Sequence, residues 1–156
     1  MSSAQALSRP ASSTQALSER NLIKPPYCEA ASQQPLQSPT SWHSICTRTD
    51  LVAYSGVVAW FDGVQVALFY LPGPAGGRVH AIHNCDPLSG ANVIGRGLLG
   101  QLHGAVVVAS PLYKQHFRLE DGECLEKPEL VLTVWPARLN GDQVEIFAAG
   151  HATGRN

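Results

Sequence analysis

Val57-Val58-Ala59-Trp60-Phe61-Asp62-Gly63-Val64-Gln65-Val66-Ala67-Leu68-Phe69-Tyr70 is two runs of β-branched, aromatic and aliphatic residues joined by an Asp-Gly pair. Asp-Gly between two such runs is the chemistry of a two-residue type I′ hairpin turn, whose central residues both take positive φ. The stretch therefore predicts antiparallel strands over Val57–Phe61 and Val64–Tyr70. Working outward, Pro72–Gly77 is a loop and Arg78–His83 a third strand, with Val79, Ala81 and His83 on one face. Ala105–Ala109 is an unbroken apolar run, the pattern of a buried strand. Phe117–Leu119 and Glu123–Leu125 flank a turn at Glu120-Asp121-Gly122, and Gln143–Phe147 follows a turn at Asn140-Gly141-Asp142. Over Leu130–Trp135 the residues Leu130, Leu132 and Val134 alternate against Val131, Thr133 and Trp135, which predicts another strand. No window from 42 to 149 carries a sustained helical period. Seven or eight short strands separated by turns read as an all-β fold, a β-sandwich or small barrel.

Composition sets the limits of that domain. Ser, Pro and Gln fill 19 of the first 41 positions, and all three Trp and four Phe lie beyond them. So few large apolar groups cannot offset the entropy of ordering a chain, so residues 1–41 are expected to be a disordered tail. A short tandem copy, Ser2–Ser8 repeated at Ser12–Ser18, is too brief to stack into a core. The folded domain is expected over 42–149, with a C-terminal tail at 150–156. Eleven Lys+Arg against twelve Asp+Glu leave a net charge of −1, which gives no electrostatic footprint for nucleic acid or an anionic membrane. No apolar run is long enough to span a bilayer, and no charged segment followed by an apolar one marks a signal peptide. Cys28, Cys46, Cys85 and Cys124 contain no C-x-x-C pair. A cytoplasmic protein with reduced thiols is the expectation.

Several segments invite chemical readings that their context weakens. Gly95-Arg96-Gly97-Leu98-Leu99-Gly100 matches the dinucleotide fingerprint G-x-G-x-x-G. That motif needs a strand before it and a helix after it. Here the next strand is expected near Ala105, leaving no room for the helix. A glycine-rich loop between strands explains the segment. His80, His83 and Cys85 are close in sequence, and His103, His116 and Cys124 are scattered beyond them. A metal site needs three or four such groups to converge. Ser110 sits in Ala109-Ser110-Pro111, not in a nucleophile elbow, so a Ser110 or Cys85 hydrolase has no supporting context. Glu120 and Asp121 beside Gly122 are explained by the turn. Lys114, Arg118 and Lys127 lack the interleaved aromatics of a nucleic-acid surface.

Two longer segments carry a more specific signal: Ala81-Ile82-His83-Asn84-Cys85-Asp86-Pro87-Leu88-Ser89-Gly90-Ala91, and Val108 through Leu125, opening Val108-Ala109-Ser110-Pro111-Leu112-Tyr113-Lys114-Gln115-His116-Phe117. Together they resemble the Rieske iron–sulfur domain, in which C-x-H and C-x-x-H on two loops clasp a [2Fe–2S] cluster through two Cys and two His. The flanking grammar is kept in Asp86-Pro87-x-x-Gly90-Ala91 and in Ser110-Pro111. The ligands are not. The resemblance places the first Cys and His positions on Asp86 and Leu88, and the second pair on Ser110 and Tyr113. Cys85 stands one residue out of register.

The cluster-free variant that the chain resembles is the small subunit of the assimilatory NAD(P)H-dependent nitrite reductase. Asn84-x-Asp86-Pro87, Ala91-Asn92-Val93-Ile94-x-Arg96-Gly97 and Ser110-Pro111-Leu112-Tyr113-Lys114-Gln115-x-Phe117 carry that resemblance. It implies a Rieske-like domain with no cofactor or metal of its own. It also implies a large catalytic subunit, holding FAD, an iron–sulfur cluster and sirohaem, that reduces nitrite to ammonium with NAD(P)H. The small chain would then be an accessory subunit, not catalytic alone, acting in nitrate and nitrite assimilation. Its loop tip would carry Arg96, Tyr113 and Lys114 as partner-binding candidates. Tyr113 has a second reading, as packing in the space a cluster would fill, and packing is the expectation for Leu88. Two other functions stay open at the level of sequence. One is a ferredoxin-like electron carrier with an atypical metal site built on His83 and Cys85. The other is a cluster-free interaction module of another reductase or oxygenase.

Overall fold

Asp62 and Gly63 both have positive φ, 48° and 80°, the geometry that Asp-Gly supplies for a hairpin turn. The turn joins β2 (Gly56–Phe61) to β3 (Val64–Leu71), in register from Phe61 opposite Val64 to Gly56 opposite Phe69. The structure is a computed structural model and describes residues 41–148. The expected tails at 1–41 and 150–156 lie outside the described residues, Ser41 apart.

β3 is the hub. Its residues Val66, Leu68 and Tyr70 face one core, shared with Phe61, Val79, Ala81, Val144 and Ile146. Ala67 and Phe69 face a second core with Ile82, Ile94, Val108, Phe117, Leu119, Cys124 and Leu132. A strand buried on both faces has no solvent side to make polar, which is why Val64–Leu71 reads as an almost unbroken apolar run. β3 sits in a four-stranded antiparallel sheet of order β2-β3-β4-β8, with β4 at Arg78–His83 and β8 at Val134–Trp135. A three-stranded sheet, β1-β10-β9 (Ser41–Thr47, Gln143–Ala148, Ala137–Asn140), covers the first core. A second three-stranded sheet, β5-β6-β7 (Leu98–Leu102, Ala105–Ala109, His116–Arg118), covers the other. All strand pairings in these sheets are antiparallel, the described residues hold no α-helix, and the fold is all-β as expected.

Four local expectations change, the first at Glu123–Leu125, which forms isolated bridges from Glu123 to Val131 and from Cys124 to Phe117 in place of a strand. The strand expected over Leu130–Trp135 shrinks to Val134–Trp135, with Val131 bridging singly to Glu123. The alternation is still visible in burial, since Leu132 is enclosed while Val131 and Thr133 are exposed. The glycine-rich loop is instead a 3-10 turn, Ile94–Arg96, running into β5. Gly97 is glycine because a Cβ there would come within 2.5 Å of the Ala109 carbonyl oxygen. A strand, not a helix, follows Gly95 and Gly97, which are packing contacts and not a phosphate cradle. β1 and β9 add edge strands where the sequence is too polar or too short to announce them.

The join between the central sheet and the β5-β6-β7 sheet runs through Asn84, immediately after β4. Its Oδ1 accepts from the Gly95 amide at 2.7 Å, and its Nδ2 donates to Gln65 Oε1 at 2.8 Å. Its carbonyl accepts from the amides of Val93 (2.9 Å) and Ile94 (3.0 Å). Below it, a Cβ on Gly56 would meet the Gly95 carbonyl oxygen at 2.1 Å. The 3-10 turn therefore lies directly on the β2 backbone.

Two stability predictions follow from these contacts. Asn84→Ala strands the buried Gly95 amide and the half-buried Gln65 side-chain carbonyl, which costs about 1–3 kcal/mol. It lowers the urea midpoint with little change in m value. His80 and His83, both on β4, have their pKa values lowered chiefly by burial. The unfolded chain takes up protons near the ordinary imidazole value of about 6.5, where the folded chain resists them, so stability falls as pH drops through that region. Comparing urea midpoints at pH 7.5 and pH 5.5 tests this: the double variant His80→Gln/His83→Gln loses less stability on acidification than the parent chain.

Candidate functional site

The two loops singled out by sequence lie at the same end of the fold. One, residues 84–93, connects β4 to the 3-10 turn. The other, residues 110–115, connects β6 to β7. Asp86 organises the first. Its Oδ1 accepts from the amides of Leu88 (2.9 Å) and Ser89 (3.0 Å), the local side-chain-to-backbone bonding that Asp favours in turns. The Asp86 amide donates to the Ala91 carbonyl at 2.8 Å, and the Gly90 amide donates to the Asp86 carbonyl at 2.8 Å. Gly90, at φ 72°, makes the reversal that this closure needs. Cys85 is buried, its backbone bridges to Asn92, and its sulfur is engaged in a disulfide, so the expectation of reduced thiols does not hold at this residue.

Ser110 organises the second loop. Its amide donates to the Gln115 carbonyl at 2.8 Å, and its carbonyl accepts from the Lys114 amide at 3.0 Å. Lys114 itself sits at φ 61°. The Ser110 hydroxyl donates to Asp86 Oδ2, a direct side-chain bond from one loop to the other. Both residues are enclosed, Asp86 at 1% and Ser110 at 0% exposure. A buried carboxylate is tolerated only when it is well hydrogen-bonded, and this one has three donors.

The four positions that the resemblance assigns to cluster ligands thus divide into two kinds. Asp86 and Ser110 are buried and bonded to each other. Leu88 is half-buried, and Tyr113 points outward at 55% exposure, so Tyr113 does not occupy a vacated cluster space. This donor set does not fit a [2Fe–2S] cluster, which takes two thiolates and two imidazoles. Leu88 has no donor atom, and the oxygens of Asp86 and Ser110 are engaged with the loops.

The other metal-ligand candidates do not converge on the loops. The His83 ring lies tilted against Trp135, with ring centroids 6.3 Å apart. His103 occupies the β5–β6 turn at φ 51°. His116 Nδ1 lies 2.5 Å from Glu126 Oε1, while buried Cys124 directs its Sγ to Glu126 Oε2 at 3.5 Å. Burial also raises the pKa of the Cys124 thiol, which disfavours the thiolate a metal or a nucleophilic mechanism needs. Among the described residues, no three His, Cys, Asp or Glu side chains come together as a metal-binding group.

The surface around the loops is mixed. Leu112 and Tyr113 are both more than half exposed. Lys114 is exposed, and its Nζ donates to the Pro111 carbonyl at 2.9 Å. Arg96 is exposed on the 3-10 turn. Leu98 pairs with Ala109, and Gly97 lies against the Ala109 carbonyl, so Arg96 emerges beside the start of the second loop. Asn84 and the Asp86–Ser110 link were not evident in sequence. The first reads as an ordinary strand-end Asn, and the second joins residues 24 positions apart.

The chain matches the family model of the Rieske-like [2Fe-2S] domain over residues 41–147. It is 39% identical over 107 residues to the nitrite reductase (NADH) small subunit of Salmonella typhimurium, a match covering 69% of this chain and 97% of that protein. The NMR structure of the Escherichia coli protein NirD superposes with a TM-score of 0.63 at 36% identity, covering 70% of this chain and 97% of that one. A further match, 36% identical over 115 residues and 74% of this chain, falls within the nitrite reductase [NAD(P)H] large subunit of Klebsiella oxytoca. There the chain spans only 12% of the relative's length. With a small-subunit relative matched along nearly its whole length and a Rieske-like model matched across every sheet, this chain belongs to the nitrite reductase small-subunit family of Rieske-like domains.

Proposed function

We propose that this chain is a non-redox accessory subunit of a nitrite reductase, and that it acts by binding the large catalytic subunit. The observation that carries the proposal is the Klebsiella oxytoca match. A domain like this one occurs inside a large-subunit polypeptide. Two domains that share one chain in one organism are natural partners when they occur as separate chains. FAD, an iron–sulfur cluster and sirohaem belong to the large subunit in this reading. The complex reduces nitrite to ammonium with NAD(P)H in the cytoplasm, in nitrate and nitrite assimilation. The donor set argues against an electron relay in the small chain, since neither Asp86 nor Ser110 supplies a thiolate and Leu88 supplies nothing. The contribution left is binding: stabilising the large subunit or shaping access to it.

Arg96, Tyr113 and Lys114 are the proposed contacts at the loop tip. Tyr and Arg are the side chains that most often anchor interfaces, because each offers a large contact area together with a polar group. Tyr113 is more than half exposed, so it has area to lose to a partner.

The first test is affinity purification of the tagged chain from its native host, with a visible spectrum of the eluate and of the isolated chain. A coloured large chain co-purifying with a colourless small one is the expected result. Stoichiometric iron and visible absorption in the isolated small chain would overturn the non-redox assignment. The second test is a titration with purified large subunit. Tyr113→Ala weakens binding about tenfold or more, the equivalent of about 1.4 kcal/mol, while thermal stability stays that of the parent. Arg96→Ala and Lys114→Ala weaken it less at high salt than at low salt, as screening dictates for exposed charges.

A further inference from the structure

We infer that the Asp86–Ser110 hydrogen bond is a latch that makes the two tip loops a single rigid face, performing mechanically the cross-loop tethering that metal coordination performs in a cluster-bearing domain. The inference deepens the docking role proposed above, because it names residues that set the docking face without touching the partner. Each residue of the latch is the organiser of its own loop. Asp86 Oδ1 holds the Leu88 and Ser89 amides. Ser110 holds the Lys114 amide through its carbonyl and lies 3.4 Å from the Leu112 amide through its hydroxyl oxygen. The second carboxylate oxygen, Oδ2, accepts from the Ser110 hydroxyl. Order in one loop is thereby transmitted to the other through one donor and one acceptor. Enclosure makes the link strong, since neither group has water as an alternative partner. The outward residues Leu112, Tyr113 and Lys114 are carried by the loop that Ser110 fixes, so their placement depends on a pair lying beneath them.

Asp86 and Ser110 are positioning residues on this account, and the test must separate coupling from local loss. Residue-resolved amide exchange of the full chain does so. Ser110→Ala removes the cross-loop donor and leaves the Asp86 bonds to Leu88 and Ser89 formally intact. The expected result is that the Leu88 and Ser89 amides nevertheless exchange at least about tenfold faster, while the amide of Leu68 in β3 keeps the parent rate. In Asp86→Ala the Leu112 and Lys114 amides, which Asp86 does not touch, speed up likewise. Asp86→Asn keeps an acceptor for the first loop and offers its amide group to the Ser110 oxygen, so exchange in the second loop returns most of the way to the parent rate. Unchanged Leu88 and Ser89 exchange in Ser110→Ala would overturn the latch, whatever happens to Asp86→Ala. Binding to purified large subunit falls about tenfold in Ser110→Ala although Arg96, Tyr113 and Lys114 are all present. Parent-level binding by that variant would show that the docking face does not depend on the latch. Failure of the parent chain itself to bind would instead remove the partner assignment, with the exchange experiment still deciding the latch.

Discussion

Everything beyond β4 hangs on the way Asn84 is satisfied. A buried primary amide has donors and an acceptor that must all find partners, and here they reach in different directions. Nδ2 is tied to Gln65 on the hub strand, and Oδ1 to the Gly95 amide on the 3-10 turn. The main chain of Asn84 adds a bond from its own amide to the Gln65 carbonyl at 2.9 Å. One residue thus ties the central sheet to the segment that leads into the outer one. The tie works only because nothing separates turn from strand. A side chain at Gly56 or Gly95 would collide with the opposing backbone or with Val58. Two glycines and one asparagine, distant in sequence, form a joint that sets the origin of the first tip loop.

The second requirement is the two-faced burial of β3. With Val66, Leu68 and Tyr70 on one side and Ala67 and Phe69 on the other, the strand separates two cores that share no other element so completely. This part of the fold is legible from sequence, because a strand with no wet face and an Asp-Gly turn at its start leave little choice of structure. The edges are harder. Ser41–Thr47 contains Trp42 and Ile45 among polar residues and pairs only through a register break between Ser44 and Cys46. Leu98–Leu102 carries leucine, glycine and glutamine at its exposed positions. Such strands are decided by the partner they pair with, and a partner strand leaves no mark in the local sequence. Leu130–Trp135 shows the reverse. Its alternation is real in burial, yet Val134–Trp135 alone joins a ladder, while the residues before it are held by the burial of Leu132 and an isolated bridge from Val131 to Glu123.

The tip shows what motif grammar captures and what it leaves out. Asp86-Pro87-x-x-Gly90-Ala91 and Ser110-Pro111 encode backbone shape: a carboxylate that closes a turn, a fixed proline φ, a glycine at φ 72°. Those features serve loop geometry whether or not a metal is held. Similarity to the Rieske-like family over residues 41–147 therefore reflects the pattern of the whole domain and does not by itself specify the donor atoms in this chain. The donor atoms must be read position by position, and the positions that the resemblance assigns carry a carboxylate, an aliphatic side chain, a hydroxyl and a phenol.

A hydrogen bond between the two loops constrains the neighbouring positions less than metal coordination would. Four ligands around a cluster constrain four side chains to point inward. A single bond between Asp86 and Ser110 constrains two and releases the others. Tyr113 is turned outward, and Leu88 is only half-buried. The link has a structural condition, because a lone hydrogen bond tethers two loops firmly only where water cannot compete for it. Both partners meet that condition, and with Asn84 they are the buried polar side chains of the described residues. These three side chains form one series running outward from the hub: Asn84 fixes where the first loop begins, Asp86 fixes its shape, and Ser110 passes that shape to the second. The exposed chemistry of the tip rests on this enclosed polar series, so substitutions at its surface can alter what the domain binds while leaving the scaffold that presents them untouched.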